Sequence, residues 1–197
     1  TATFIAVWDV EVTIDGTGEG EVSDGTAICY TSDTQPCTES YDEGDTITLT
    51  ATATLGSTFA GWTGTDSADC DDESATCTFA TIDAVKAVIA TFDIATFDVV
   101  VTIDGGDGDV TDGDEGALAC DEANLAACTE SYNYGDTVTL TAVPADGFRF
   151  VEWSGDDLLE CDDESATCTF DSIDAAKAVT ATFIAVWDVE VTIDGTG

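Results

Sequence analysis

Apolar and polar residues alternate strictly along VWDVEVTID, residues 7–15: Trp8, Val10, Val12 and Ile14 share one face, and Asp9, Glu11 and Thr13 the other. A period of two over this length predicts a half-buried strand. Gly16, Gly18 and Gly20 predict a turn, with a short strand around Val22 returning from it. A polar loop carrying Cys29 and Cys37 follows. TITLTATA, residues 46–53, alternates again, with Ile47, Leu49 and Ala51 inward and threonines on a solvated face. STFAGWTG then supplies Phe59 and Trp62, the bulkiest core candidates of the middle region. CTF at 77–79 reads as a short strand and KAVIATF at 86–92 as a closing one. No stretch keeps a helical period, and residues 66–76 are too polar and too short for a helix that packs.

The same order of elements occurs twice. CTESYDEGDTITLTATATLGSTFAGWTG at 37–64 returns as CTESYNYGDTVTLTAVPADGFRFVEWSG at 128–155, and CDDESATCTF at 70–79 returns at 161–170, both at an offset of 91. FDVVVTID, with Gly105, Gly106 and Gly108 after it, opens the second copy, in which the first cysteine loop is longer. Self-similarity at a fixed period decides the architecture before any motif is weighed. Each copy reads as five or six short antiparallel strands in a compact all-β unit. Residues 1–18 are identical to 180–197, so the pattern closes on itself with a period of 179. The expected division is therefore 1–5 as the end of a preceding module, 6–94 and 95–184 as two modules, and 185–197 as the start of a following one. Phe92 and Phe97 are separated only by DIAT, and a join without a flexible spacer predicts a stiff, rod-like array. The expectation is one covalent tandem array whose module boundaries are set by Phe92, Phe97, Phe183 and Trp187.

Charge narrows the function classes. Against 42 acidic residues stand only Lys86, Arg149 and Lys177, for a net charge of -39. A chain this acidic with few apolar residues would be disordered, but 44% of this one is hydrophobic and its Val, Ile, Thr, Phe and Trp fall in alternating runs. It folds. Its surface repels phosphate backbones, which excludes nucleic acid as a partner, and repels anionic membranes. No apolar run reaches the length of a spanning helix. What remains is high solubility and attraction for cations, with adaptation to a salt-rich proteome as the alternative origin of the acidity.

The eight cysteines form two matching sets, Cys29, Cys37, Cys70, Cys77 and Cys120, Cys128, Cys161, Cys168. An even, repeated set in small domains reads as a disulfide framework made in an oxidising compartment. Four cysteines allow three pairings per module; the local pairs, Cys29 with Cys37 and Cys70 with Cys77, are favoured. Zinc lacks the CxxC spacing and the chain has no His.

The sharpest candidate ligand site is DGGDGDVTDGDEG, residues 104–116, where Asp104, Asp107, Asp109, Asp112 and Asp114 alternate with glycines as in oxygen-rich calcium loops. The carboxylate spacing of an EF-hand is missing, so the competing reading is a solvated turn between strands. CDDESATC reads as a hairpin tip stapled by a disulfide. Lys86 and Lys177, single and equivalent, raise the question of an isopeptide bond to an Asp on an adjacent strand, against the plainer role of opening a strand. Trp62 and Trp153 sit in apolar contexts, FAGW and FVEW, and read as core rather than as sugar platforms. With no His and no nucleophile context, enzymatic work is not expected, nor any cofactor other than calcium.

Taken together, GxGxV, the cysteine pair, ESYDEGDTITLTATATLGSTFAGWTG with KAVIATF, and ESYNYGDTVTLTAVPADGFRFVEWSG with KAVTATF resemble the divergent internalin-type B-repeat of bacterial cell-surface proteins. The resemblance covers both modules nearly end to end. It implies small β-grasp-like or sandwich-like modules strung in arrays outside the cell. It also implies a stalk, adhesin shaft or surface filament whose partners are neighbouring copies of the same repeat, end to end. A calcium- or glycan-binding repeat is the alternative. No catalytic residues come with the resemblance.

Overall fold

The computed structural model describes residues 4–70, 74–113, 118–120, 128–155, 161 and 165–187. The chain divides into two compact units, Thr1–Ala95 and Thr96–Gly197.

In the first unit the alternating stretch forms β1 (Val7–Asp15), and the glycine turn leads into β2 (Gly20–Ser23). Two strands with no counterpart in the hydrophobic pattern follow, β3 (Ala27–Tyr30) and β4 (Cys37–Asp42). Then come β5 (Ile47–Ala53), β6 (Ser57–Thr63), a 3-10 turn at Ser67–Asp69, β7 (Thr76–Phe79) and β8 (Lys86–Ile94). These eight strands, rather than five or six, make two four-stranded sheets ordered β4-β1-β8-β6 and β3-β2-β5-β7. The second sheet is wholly antiparallel. The first is not: its two central strands, β1 and β8, run parallel, facing one another from Val10–Lys86 to Asp15–Thr91. A parallel pair needs a long crossover, and here the rest of the module is that crossover.

The second unit repeats this plan. Its strands are β9 (Thr96–Asp104), β10 (Gly108–Thr111), β11 (Ala119–Cys120), β12 (Cys128–Asn133), β13 (Val138–Pro144), β14 (Phe148–Gly155), β15 (Thr167–Phe170) and β16 (Lys177–Ala185). They form sheets ordered β12-β9-β16-β14 and β11-β10-β13-β15, with β9 and β16 parallel.

The inward faces of both sheets of a unit meet in one core. In the first unit Val10, Val12, Ile14, Val88, Ala90 and Phe92 of one sheet pack with Val22, Leu49, Ala51 and Phe79 of the other. Each fully buried aliphatic or aromatic side chain contributes about 1.5–3 kcal/mol, which is how a module of this size holds together. The second unit gathers the equivalent set around Trp153, Phe170 and Phe183. These are sandwiches, and among the described residues no helix long enough for a grasp crosses either sheet. On the outer face of β5 and β7, Thr48 and Thr78 hydroxyls lie 3.0 Å apart, and Thr139 and Thr169 repeat this. Phe92 and Phe183 are wholly buried inside their own modules. That corrects the expectation that they set module boundaries: their side chains point inward from the closing strand, not along it.

Candidate functional site

Three features recur in both modules and could carry function: the cysteine pairs, the acidic turns, and the paired terminal strands with the glycine turn that clasps them.

Cys29 on β3 is bonded to Cys37 on β4, and Cys70 to Cys77 on β7; the second module pairs Cys120 with Cys128 and Cys161 with Cys168. Because β3 and β4 belong to different sheets, the first bond of each module does more than close a polar loop. It staples one sheet to the other along an edge. Cys29, Asp33 and Cys37 bring three ligand atoms within 4.8 Å of one another, but the bonded sulfurs have no thiolate to offer a metal. Gln35 fills the space beside the staple: its Oε1 accepts from the Ile14 amide at 3.1 Å and its Nε2 donates to the Tyr30 carbonyl at 3.0 Å.

The acidic stretch of the second module is dispersed along a hairpin. Asp104 ends β9, Asp107 lies in the turn, and Asp109 stands on the outer face of β10. Asp112, beyond β10, uses Oδ2 to accept from the Tyr132 hydroxyl at 2.6 Å and from the Leu118 amide at 3.4 Å. Among the described residues these four carboxylates do not gather into a ligand group. Asp114 lies outside the described residues. The first module has the same tie, with Tyr41 donating to Asp24 Oδ2 at 2.9 Å. Burial, then the hydrogen bond and negative charge of Asp24, then the charge of Glu39 push the Tyr41 phenol well above its ordinary pKa. Neither tyrosine stands out in the hydrophobic pattern; the sequence signal for both is their recurrence in ESY at the same place in each copy.

Lys86 and Lys177 open their strands and pair with Asp83 at 3.5 Å and Asp174 at 3.2 Å, each three residues earlier. Each ammonium also lies 5.8 Å from a ring centroid, that of Phe79 or Phe170. Among the described residues, Asp83 and Asp174, the carboxylates paired with these ammonium groups, belong to the link before the strand. Trp62 and Trp153 are buried, and each indole N–H donates at 3.0 Å to a carbonyl, that of Ser74 or Ser165. Their faces are unavailable to a sugar. Phe59 packs edge-on between Trp62 and Phe92, while Phe150 lies tilted against Trp153 and edge-on to Phe183.

The aromatic group continues into the glycine turn. A Cβ on Gly20 would lie 2.5 Å from the Phe92 ring, and one on Gly108 would lie 2.6 Å from that of Phe183. The GxGxV motif is thus a seat for the closing phenylalanine as well as a turn. The Gly18 amide donates to the Phe92 carbonyl at 2.8 Å, and the Ile94 amide donates to Thr17 Oγ1 at 3.2 Å. These bonds hold opening turn and closing strand together in the first module, and the glycine seat for the closing phenylalanine recurs in the second.

Two copies of one sandwich, closed by the same phenylalanine on the same glycine, match the divergent InlB B-repeat domain at residues 10–96 and again at 99–186. The chain belongs to that family. Among curated proteins nothing matches. Of solved structures, the TIE protein of Bacillus anthracis superposes with a TM-score of 0.54 at 11% identity, over 91% of this chain and 34% of that protein. That likeness is one of fold, and the chain spans about a third of its length. GBS52, the minor pilin of Streptococcus agalactiae, aligns at 8% identity over 95% of this chain and 100% of that one, with a TM-score of 0.33. The T-13 major pilin of Streptococcus pyogenes aligns at 10% identity over 91% and 97%, with a TM-score of 0.35. No helix among the described residues is long and apolar enough to cross a membrane.

Proposed function

We propose that this chain is part of an extracellular, surface-displayed stalk or filament in which B-repeat modules act as structural spacers. The observation that carries the reading is the parallel pairing of the first and last strands of each module. The chain enters at the start of one central strand and leaves at the far end of its parallel neighbour, so a module passes the chain on in the direction in which it arrived. Entry and exit therefore lie at opposite ends of each module, the arrangement that a spacer needs. Membership of the B-repeat family supports a surface location, and disulfide staples in both modules support an oxidising one. The partners are further copies of the same repeat, joined end to end, and the role is structural rather than catalytic. A charge of -39 keeps neighbouring stalks soluble and apart.

Small-angle scattering on arrays of two, four and six modules tests the reading. The maximum dimension should rise linearly with module number, and intact source cells should bind antibody raised against the modules. Compact arrays, or protein found only inside the cell with free thiols, would remove it.

A further inference from the structure

We infer that each module is a mechanical clamp that resists tension along the array by loading its two central strands in shear; the inference rests on the stalk reading above. β1 and β8 lie side by side and parallel in six facing pairs, from Val10–Lys86 to Asp15–Thr91. Tension arriving through Val7 pulls β1 toward the entry end, while tension leaving through Ile94 pulls β8 toward the exit end. The two strands can part only by sliding past one another, which strains every rung of the ladder together. A hairpin pulled from its open end would instead lose its rungs one at a time. The same geometry recurs from Lys177–Val99 to Thr182–Asp104 in the second module.

The surroundings oppose the slide. β1 is gripped on its other side by β4 through six antiparallel pairs, and β8 is gripped by β6. Inward side chains of both strands interlock in the core, where Val10, Val12, Val88, Ala90 and Phe92 are almost wholly buried. At the exit end the Gly18–Phe92 and Ile94–Thr17 hydrogen bonds tie the β1–β2 turn to the last residues of β8. At the entry end the Glu43 amide donates to the Ala6 carbonyl at 2.8 Å. Ala95 alone separates β8 from β9, so load leaving one clamp passes directly to the first strand of the next.

The disulfides lie off this path and limit the length of chain that a rupture releases. They tie Cys29 to Cys37 and Cys70 to Cys77, at sequence separations of 8 and 7, so those segments cannot extend after β1 and β8 part. Reduction should lengthen the extension released per module by about 4 nm, at ~3.5 Å per freed residue.

Single-molecule pulling decides the matter. The whole chain is stretched first between its two ends, then between its N-terminal end and a click-reactive residue in place of Ala84, which is exposed just before β8. The second geometry peels β1 from β8 at the entry end and breaks the same rungs in sequence. At equal loading rate, which fixes the comparison because forced unfolding is governed by the unfolding rate, end-to-end pulling should give two ruptures of similar length. Each should need several-fold more force than the peel, with the added length on reduction. Equal or lower force end to end than in the peel overturns the clamp. If arrays are extended by scattering yet rupture easily, the clamp fails and the stalk stands; if they are compact yet strong, the stalk fails and the clamp stands.

Discussion

The Tyr132 hydroxyl donates a 2.6 Å hydrogen bond to Asp112, and Tyr41 donates to Asp24 at 2.9 Å in the other module. Each tie runs from an edge strand of one sheet to the turn that ends the second strand of the other. It stands beside the disulfide staple, so two different chemistries hold the same pair of edges together.

Replacing Tyr41 or Tyr132 with Phe keeps the ring and removes only the donor. Each substitution should cost about 1 kcal/mol, the usual net worth of one hydrogen bond, read as a lower denaturation midpoint at an unchanged denaturant slope. An unchanged midpoint in both variants would show that the ties add nothing to stability.

The raised pKa of Tyr41 gives the tie a pH dependence of known sign. Folding favours the protonated phenol, because burial and then Asp24 oppose the phenolate. The contribution is therefore intact below the ordinary tyrosine value of about 10 and is lost as pH rises above it. Melting temperature should fall more steeply above about pH 10 in the parent than in Tyr41→Phe. Parallel curves would contradict the assignment.

The seat of the closing phenylalanine tolerates no side chain. Gly20→Ala or Gly108→Ala would place a Cβ against the ring of Phe92 or Phe183, and overpacking of this kind costs about 1–3 kcal/mol. Calorimetry should show one module melting earlier and the other unmoved. A variant as stable as the parent would mean that the ring moves aside without loss.

The staples are separable in the same way. Double replacement of Cys29 and Cys37 by Ala should cost about 2.5 kcal/mol by loop-closure entropy, and so should that of Cys120 and Cys128. Mass mapping without reductant should recover the four local pairs. Crossed links would overturn the pairing, and free thiols throughout would overturn the oxidising compartment as well.

The acidity should act as a diffuse field. With the carboxylates of Asp104, Asp107, Asp109 and Asp112 dispersed along a hairpin, added salt should raise the melting temperature by screening self-repulsion. Calcium should do no more than magnesium at the same ionic strength. A large shift specific to micromolar calcium would instead support a calcium loop at residues 104–116.

The strands that were legible in the sequence are those whose alternation meets the core. Val10, Val12 and Ile14 on β1, and Leu49 with Ala51 on β5, are all buried. β4 was not legible because CTESYD is an edge strand that offers the core only Cys37 and Tyr41, both half-buried. β3 lies within the polar cysteine loop, where Ala27–Tyr30 offers no alternation and no turn signal of its own. The parallel partnership of β1 and β8 was hidden for a different reason: alternation reports which face of a strand is buried but carries no record of its neighbour's direction. For the same reason the tyrosine ties stayed out of view, since Asp24 and Asp112 looked like any other carboxylate in so acidic a chain.

The parallel pair also sets the timing of assembly. Val10 cannot take its place beside Lys86 until nearly the whole module has been made, and contacts this distant in sequence close slowly. A module threaded out of a ribosome or a narrow channel therefore stays open until its last strand emerges, then closes around its first. On the surface-stalk reading, release of the chain would proceed in module-long steps, each closure turning a passable thread into a folded body too wide to slip back.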